Sequence, residues 1–485
     1  MSKLVSGFDA ITEIPSVRLF DNESALIACV MKHVRSTRDS IAALDVLFTT
    51  TRQTTWTFML SHRHLKQSQN KCTAGRVVLP SVQATVKISM NPSDRGYCLE
   101  APPCIEGFAL APFTSLEETF RENFEMSWES AGAAFAVYHK GELVVDLYAG
   151  YTDDERNSRW SQSTMTHSLS AIVLAMLIDK GRASYDDLVC QHWPEFAQNG
   201  KAGITIKQIT QHEAGIPYGN EVFTVEDVLD PSKMSRKLER MTPIWVPGMK
   251  CGYHALTFGF LIDQIVRRID HKKRGVVEFF REEITNKHGV KDVFIGLADD
   301  QLNNRVAKVV EATDEQLLEE GRRNPEALRR FAFYNNEHWL RLYENWPWIR
   351  IPDYNKLENR RLPMLSNMGI GSARGVARVH ALIAEGKLLS AKFLETIDQP
   401  QLINQHDIVN GYPESKGFGW QYTKNKLGNW IFGHSGYGGQ NVRVDVGSQL
   451  AYAYVCNGLK AGDADCVDTF SRLQDALYDC LKRSQ

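Results

Sequence analysis

The longest strongly apolar run in this 485-residue chain is Ala171 to Ile178, far short of the ~20 residues that a membrane helix requires. A run of that length fits a helix inside a globular core, and it is followed by Gly181, a residue that commonly ends helices. The first fold constraint is therefore a buried helix, and 43% hydrophobic content in 485 residues suffices to surround it with a large core. Charged residues make up 24% of the chain and the formal net charge is −2, which favours neither nucleic acid nor an anionic membrane as partner. Asp9, Glu13 and Asp21 near the start, with no early apolar segment, argue against a secretory signal. Nine scattered cysteines without a CxxC pair exclude a disulfide scaffold and a zinc site. They point to a reducing compartment, the cytoplasm, with the mitochondrion as the alternative.

Patterning divides the chain near residue 103. Residues 1–103 keep no helical or strand period, and no acidic residue occurs between Val46 and Ser93. This part reads as a poorly patterned N-terminal extension, disordered or contributed by processing or by the gene model. From residue 104 onward order is expected. Ser115-Leu-Glu-Glu118 reads as a capping box, with Leu116, Phe120 and Phe124 at helical spacing behind it. Ala133 to Tyr138 and Leu143 to Tyr148 flank a glycine turn and predict a hairpin. Helices are predicted from Ser170 to Lys180 and from about Leu256 to Ile269. Residues 300–360 read as a charged helical insertion or lid. Trp430 to Phe432, Asn441 to Val446 and Leu450 to Cys456 read as consecutive antiparallel strands before a final amphipathic helix. The order predicts an α+β domain whose antiparallel sheet is assembled from both chain ends and flanked by helices.

Three constellations carry candidate chemistry. Ser170 opens the apolar run; a helix start suits a nucleophilic oxygen, although serine is also a common N-cap. Pro247-Gly-Met-Lys-Cys-Gly-Tyr253 presents a tyrosine ahead of an amphipathic helix, and a tyrosine beside a cation can act as a general base. Gly433-His-Ser-Gly-Tyr-Gly-Gly439 joins two strands; its glycines suit close approach to a ligand or an ordinary hairpin turn.

Taken together, the three resemble class C serine β-lactamases and the related carboxylesterases and penicillin-binding proteins. Trp193-Pro-Glu-Phe196, Gln211-His-Glu-Ala-Gly-Ile-Pro217, Asn367-Met-Gly-Ile-Gly-Ser-Ala-Arg374 and Gly417-Phe-Gly-Trp420 agree, in the same order, over about residues 104–485. The resemblance implies a β-lactamase/transpeptidase-like fold and hydrolysis of a small-molecule ester or amide through an acyl-enzyme. It implies Ser170 as nucleophile and Tyr253 in proton transfer. His434, Ser435, Gly436 and Tyr437 would line the substrate and oxyanion site. It implies no metal or organic cofactor, and the oligomeric state stays open. His434 in place of a lysine resembles the esterase branch.

One departure bears on activity. Position 173 is valine, so Ser170-Ala-Ile-Val173 is not the S-x-x-K that the family uses. About six residues are expected to be missing after Ser170, which would shorten the helix by about 9 Å and turn it by about 600°. If the apolar face docks normally, Ser170 leaves the pocket; if Ser170 stays, the preceding loop and the helix must repack. Lys180 is too far along the helix to replace the lysine, and His167 reads as part of the approach segment. Ser68-Gln-Asn-Lys71 lies in the unpatterned part. No G-x-S-x-G elbow occurs. An impaired hydrolase, a catalytically inactive β-lactamase-like binding or assembly protein, and a splice or gene-model variant of an active enzyme all remain open.

Overall fold

The computed structural model describes residues 104–150 and 166–483, together with the backbone of two strands nearer the start, β1 (Leu44–Thr49) and β2 (Thr57–His62). The chain divides into two compact units, residues 1–99 and 100–485. In the first unit, β1 and β2 pair antiparallel in unbroken register from Leu44 opposite His62 to Thr49 opposite Thr57. No strand period is visible in the sequence here, yet each segment carries several apolar residues and one threonine, which suit a pleated surface. The rest of the N-terminal stretch lies outside the described residues.

The second unit is built on a nine-stranded antiparallel sheet. Its strands are β3 (Glu106–Ala109), β4 (Ala133–His139), β5 (Glu142–Ala149), β8 (Leu402–His406), β9 (Pro413–Gly417), β10 (Trp420–Lys424), β11 (Trp430–Gly436), β12 (Gln440–Asp445) and β13 (Leu450–Cys456). A separate short pair, β6 (Val293–Phe294) and β7 (Ile370–Gly371), lies between them in sequence. The spatial order β3-β5-β4-β13-β12-β11-β10-β9-β8 sets β4 beside β13, in register from Ala133 opposite Cys456 to His139 opposite Leu450. An early strand and the last strand of this unit thus pair within one sheet, as the sequence order predicts.

The longer helices are α1 (Ser115–Glu125), α2 (Thr166–Asp179), α3 (Pro231–Arg240), α4 (Thr257–Ile269), α5 (Asp314–Arg323), α6 (Pro325–Phe333), α7 (Glu337–Asn345), α8 (Ala373–Ala384) and α9 (Asp468–Arg483). Two apolar cores result. Leu116, Phe120, Phe470, Leu473 and Leu477 from α1 and α9 pack on Phe135, Tyr452 and Tyr454 of the sheet. The larger core joins α2, α4 and α8 to the other side. Every residue of α2 from Thr166 to Leu177 is buried, the pattern of a helix enclosed on all sides.

Two expectations about helix starts need correction. Ser115 is inside α1 rather than capping it; Thr114 takes the cap position without a side-chain bond, and the Ser115 hydroxyl instead meets Cys480 Sγ at 3.1 Å. More consequentially, α2 does not begin at Ser170. It is already helical at Thr166, so Ser170 stands inside the helix.

Candidate active site

The position of Ser170 follows from a segment wedged between α2 and α4. Gly259 of α4 has no Cβ, and one placed there would lie 2.2 Å from the Leu365 carbonyl oxygen. That space admits the Leu365–Gly369 segment against both helices. Ser366 Oγ accepts from the Gly259 N–H at 2.8 Å and donates to the Leu256 carbonyl at 2.7 Å. The Gly369 N–H donates to Thr166 Oγ1 at 2.8 Å. Between these anchors the Leu365 carbonyl accepts the Ser170 hydroxyl at 2.9 Å. Ser170 is 0% exposed. The expected nucleophile is therefore not at a helix tip facing a pocket. Its hydroxyl is spent on a backbone carbonyl, because α2 docks by its apolar residues and carries Ser170 into the interior.

What α2 presents to the tyrosine is His167, three residues earlier and so about one turn nearer the helix start. Its ring stacks on His434 at 4.9 Å between centroids and an interplanar angle of 16°, and on Phe258 of α4 at 4.9 Å. The Tyr253 hydroxyl lies 3.4 Å from His167 Nδ1, with the two rings 5.1 Å apart. By sequence His167 reads as part of the approach segment; in the structure it lies in the first turn of α2. The structure makes it the residue on which Tyr253 and the strand motif converge, and Nε2 of this imidazole is buried without a hydrogen-bond partner.

Tyr253 is fixed from behind by a buried ionic group that no local motif marks. Asp407 Oδ1 accepts the backbone N–H groups of Tyr253 at 3.1 Å, Val409 at 2.9 Å and Asn410 at 2.9 Å. Its other oxygen pairs closely with the Lys416 ammonium, which also lies 2.8 Å from Glu414. Lys416 and Asp407 are 2% and 0% exposed, so neither charge would be tolerable without the other. Burial works against the Lys416 charge, but Asp407, Cys251 and Glu414 outweigh it and hold its pKa well above the usual lysine value. Asp407 stays below the usual carboxylate range because Lys416 and the donated N–H groups overcome its burial. Glu414 moves the opposite way, raised by burial and by Asp407 despite Lys416.

The strand motif splits between the two faces of β11, as alternation requires. His434 faces α2; its Nδ1 bonds closely to the Ser435 carbonyl. Ser435 faces the other way, and both its N–H and its hydroxyl donate to Gln421 Oε1, at 2.8 and 2.9 Å. Gly436 pairs with Gln440 at the end of the strand. Tyr437 follows in the turn, its ring edge-on to Tyr334 at 5.2 Å. Of the expected substrate-side residues, His434 is thus brought to Tyr253, 6.1 Å between ring centroids. The Ser435 side chain is directed to the reverse face.

The site is electrically unlike a serine–lysine centre. Burial and the neighbouring His434 keep His167 well below the ordinary histidine pKa. Burial lowers His434 and His254 to about 3. All three imidazoles are neutral at pH 7. His254 shows the same state in its bonds, its Nε2 accepting the Ile216 N–H at 3.0 Å. Tyr253 runs opposite to the expected activated base: burial first, then Asp463 and Glu414, push its phenol well above the usual value, and Lys416 does not compensate. A protonated phenol facing a neutral imidazole can donate to or receive from a bound polar group. Among the described residues no cluster of histidine, cysteine and carboxylate side chains is arranged to hold a metal ion. No described helix is long and apolar enough to cross a membrane.

Comparison with known proteins agrees with this architecture. The Beta-lactamase family model matches residues 120–477. Esterase/beta-lactamase LipL of Mycobacterium tuberculosis (strain ATCC 25618 / H37Rv) is 28% identical over 344 residues, 68% of this chain and 77% of that protein. The crystal structure of a family VIII carboxylesterase superposes with a TM-score of 0.67 at 27% identity, covering 78% of this chain and 99% of that one. A penicillin-binding protein homologue from Caulobacter crescentus gives 0.63 at 28% identity, covering 78% and 100%. With the family model spanning most of the chain and the sheet closed by both chain ends, this protein belongs to the β-lactamase family of serine hydrolases.

Proposed function

We propose that this chain keeps the family fold and a small-molecule pocket but does not perform acyl transfer through Ser170. The observation that carries the reading is the Ser170 hydroxyl, wholly buried and donated to the Leu365 carbonyl. A serine nucleophile needs an open approach for the substrate carbonyl and a base within hydrogen-bond reach, and Ser170 has neither. Lys416, 5.7 Å from the Tyr253 ring, cannot serve as that base, because its carboxylate partners keep it charged. What remains beside the motif tyrosine is a donor–acceptor pair, the Tyr253 phenol and the His167 imidazole, with the His434 ring stacked on it. Such a pair suits recognition of a small polar molecule such as an ester or amide.

A second reading is hydrolysis with a nucleophile supplied from residues 151–165, and the place of His167 favours it. The resemblance puts a lysine beside the tyrosine, three residues after the nucleophile. His167 stands beside Tyr253, and Thr164, outside the described residues, precedes it by that spacing. A neutral imidazole is a competent general base.

A fluorophosphonate probe on the full chain, with mass-spectrometric mapping of any labelled peptide, separates the readings. The first expects folded protein without label. Label on Ser170 that is lost in Ser170→Ala overturns it. Label on Thr164 that is abolished by His167→Ala establishes the second.

A further inference from the structure

On the reverse face of the sheet, behind the strand motif, the ends of β9 to β12 border a cavity of about 510 Å³. Its wall includes Arg443, a residue only 1% exposed. Arg443 pairs with Gly433 in the ladder, and its guanidinium lies 5.8 Å from the Phe470 ring of α9. For a buried cation Arg443 is poorly matched. One Nη donates to the neighbouring Val442 carbonyl at 3.0 Å, and the other is 3.7 Å from Asp465. Its Nε is buried with no hydrogen-bond partner. Guanidinium groups taken out of water normally have their fork filled by a carboxylate or phosphate.

The rest of the wall leans the same way. The exposed Lys424 adds a cation, and Arg330, whose Nε pairs with Glu326 at 2.8 Å, adds a second guanidinium to the wall. Of the two carboxylates present, Glu414 faces Lys416, and Asp465, which accepts the Thr423 hydroxyl, stands 3.7 Å from Arg443 without filling its fork. We propose that this cavity is a binding site for a small oxyanion, a carboxylate or phosphate, seated on the Arg443 guanidinium with Arg330 and Lys424 as outer charges. The site is separate from the Tyr253 pocket and does not depend on the function assigned to it. The two are nevertheless close through one residue. Gln421 lines the cavity and holds Ser435 by both of its donors, so an occupant sits against the support of the strand motif.

Isothermal titration of the full chain with inorganic phosphate and, separately, citrate, at fixed ionic strength with chloride as control, tests the proposal. Saturable one-to-one binding of phosphate or citrate, and none of chloride, is expected. Arg443→Gln should weaken it by about tenfold or more, the loss of a charge-assisted bond. Lys424→Ala, an exposed change, should weaken it by about twofold to fivefold and reduce its salt dependence. Where Arg443→Gln fails to fold, the double variant Arg330→Met with Lys424→Ala carries the test. Folded wild-type protein that binds neither probe, or variants that bind like wild type, overturns the site.

Discussion

On the face of the sheet that meets α1 and α9, three buried tyrosines each find a partner. Tyr452 reaches Gln474 at 2.7 Å, Tyr454 reaches Thr469 at 3.0 Å and Tyr478 reaches Asp445 at 2.9 Å. Phe470, Leu473 and Leu477 fill the space between them. The face that meets α2 and α4 is also buried, but it gathers His167, His434, His254 and Tyr253, with Lys416, Asp407 and Glu414 just behind. In the first arrangement these tyrosine hydroxyls are satisfied as a by-product of packing. The second keeps ionisable groups in a medium that opposes their charge, a cost seen far more often at functional sites than in plain cores. The face that buries Ser170 is therefore not an ordinary apolar core.

The largest consequence of that difference is acid sensitivity. The folded-state pKa values of His167, His254 and His434 lie below the unfolded value of about 6.5. As pH falls through about 6.5 the unfolded chain takes up protons that the folded chain refuses, down to about 3 for His254 and His434. Stability present at pH 7 is thus lost progressively across that window. Urea unfolding at pH 7, 5.5 and 4.5 should show the decline, and His434→Asn should flatten it. Tyr454→Phe, on the other face, should lower stability by a similar amount at every pH. Equal slopes for the two variants would remove the contrast between the faces.

The ionic group behind Tyr253 comes next. Lys416→Met leaves Asp407 buried without its counter-charge, and breaking such a pair costs about 3–5 kcal/mol. The Tyr253 segment should loosen with it, because Asp407 holds that backbone. Hydrogen exchange at the Tyr253 amide should accelerate more than exchange in α9. An even rise across the domain would mean that the pair supports the whole fold rather than this segment.

Local signals were enough for part of this. The β4–β5 hairpin, the strands β11 to β13 and helices α4 and α9 bury one face or a continuous run, and their periodicity is visible in the chain. The start of α2 was not, for an instructive reason. Thr166-His-Ser-Leu-Ser170 is too polar to read as the first turns of a core helix. Its hydroxyls are satisfied by residues about two hundred positions away: Gly369 for Thr166, His380 and Trp420 for Ser168, Leu365 for Ser170. The same distance hid Asp407 and Lys416, which are unremarkable in sequence and meet Tyr253 only in the fold. The motif tyrosine and His434 were identifiable as residues. Their protonation states were not, since burial sets them.

The smallest expected effect is also the one that bears most directly on Ser170. If its hydroxyl serves only to satisfy the Leu365 carbonyl, Ser170→Ala removes one neutral hydrogen bond and should cost about 0.5–1.5 kcal/mol. The acceptor would be left unpaired in the interior, so a cost toward the upper end is expected rather than none. Nothing about the Tyr253–His167 contact should change, because that contact is made one turn nearer the helix start. The acid-unfolding profile should therefore keep its shape and shift as a whole. Thermal or urea unfolding measures the first quantity, and the pH series measures the second. A Ser170→Ala protein that is fully stable but alters the titration of His167, read by NMR, would mean that the hydroxyl faces the imidazole in solution. The buried carbonyl bond would then not be its resting state, and acyl chemistry at Ser170 would return as the better account.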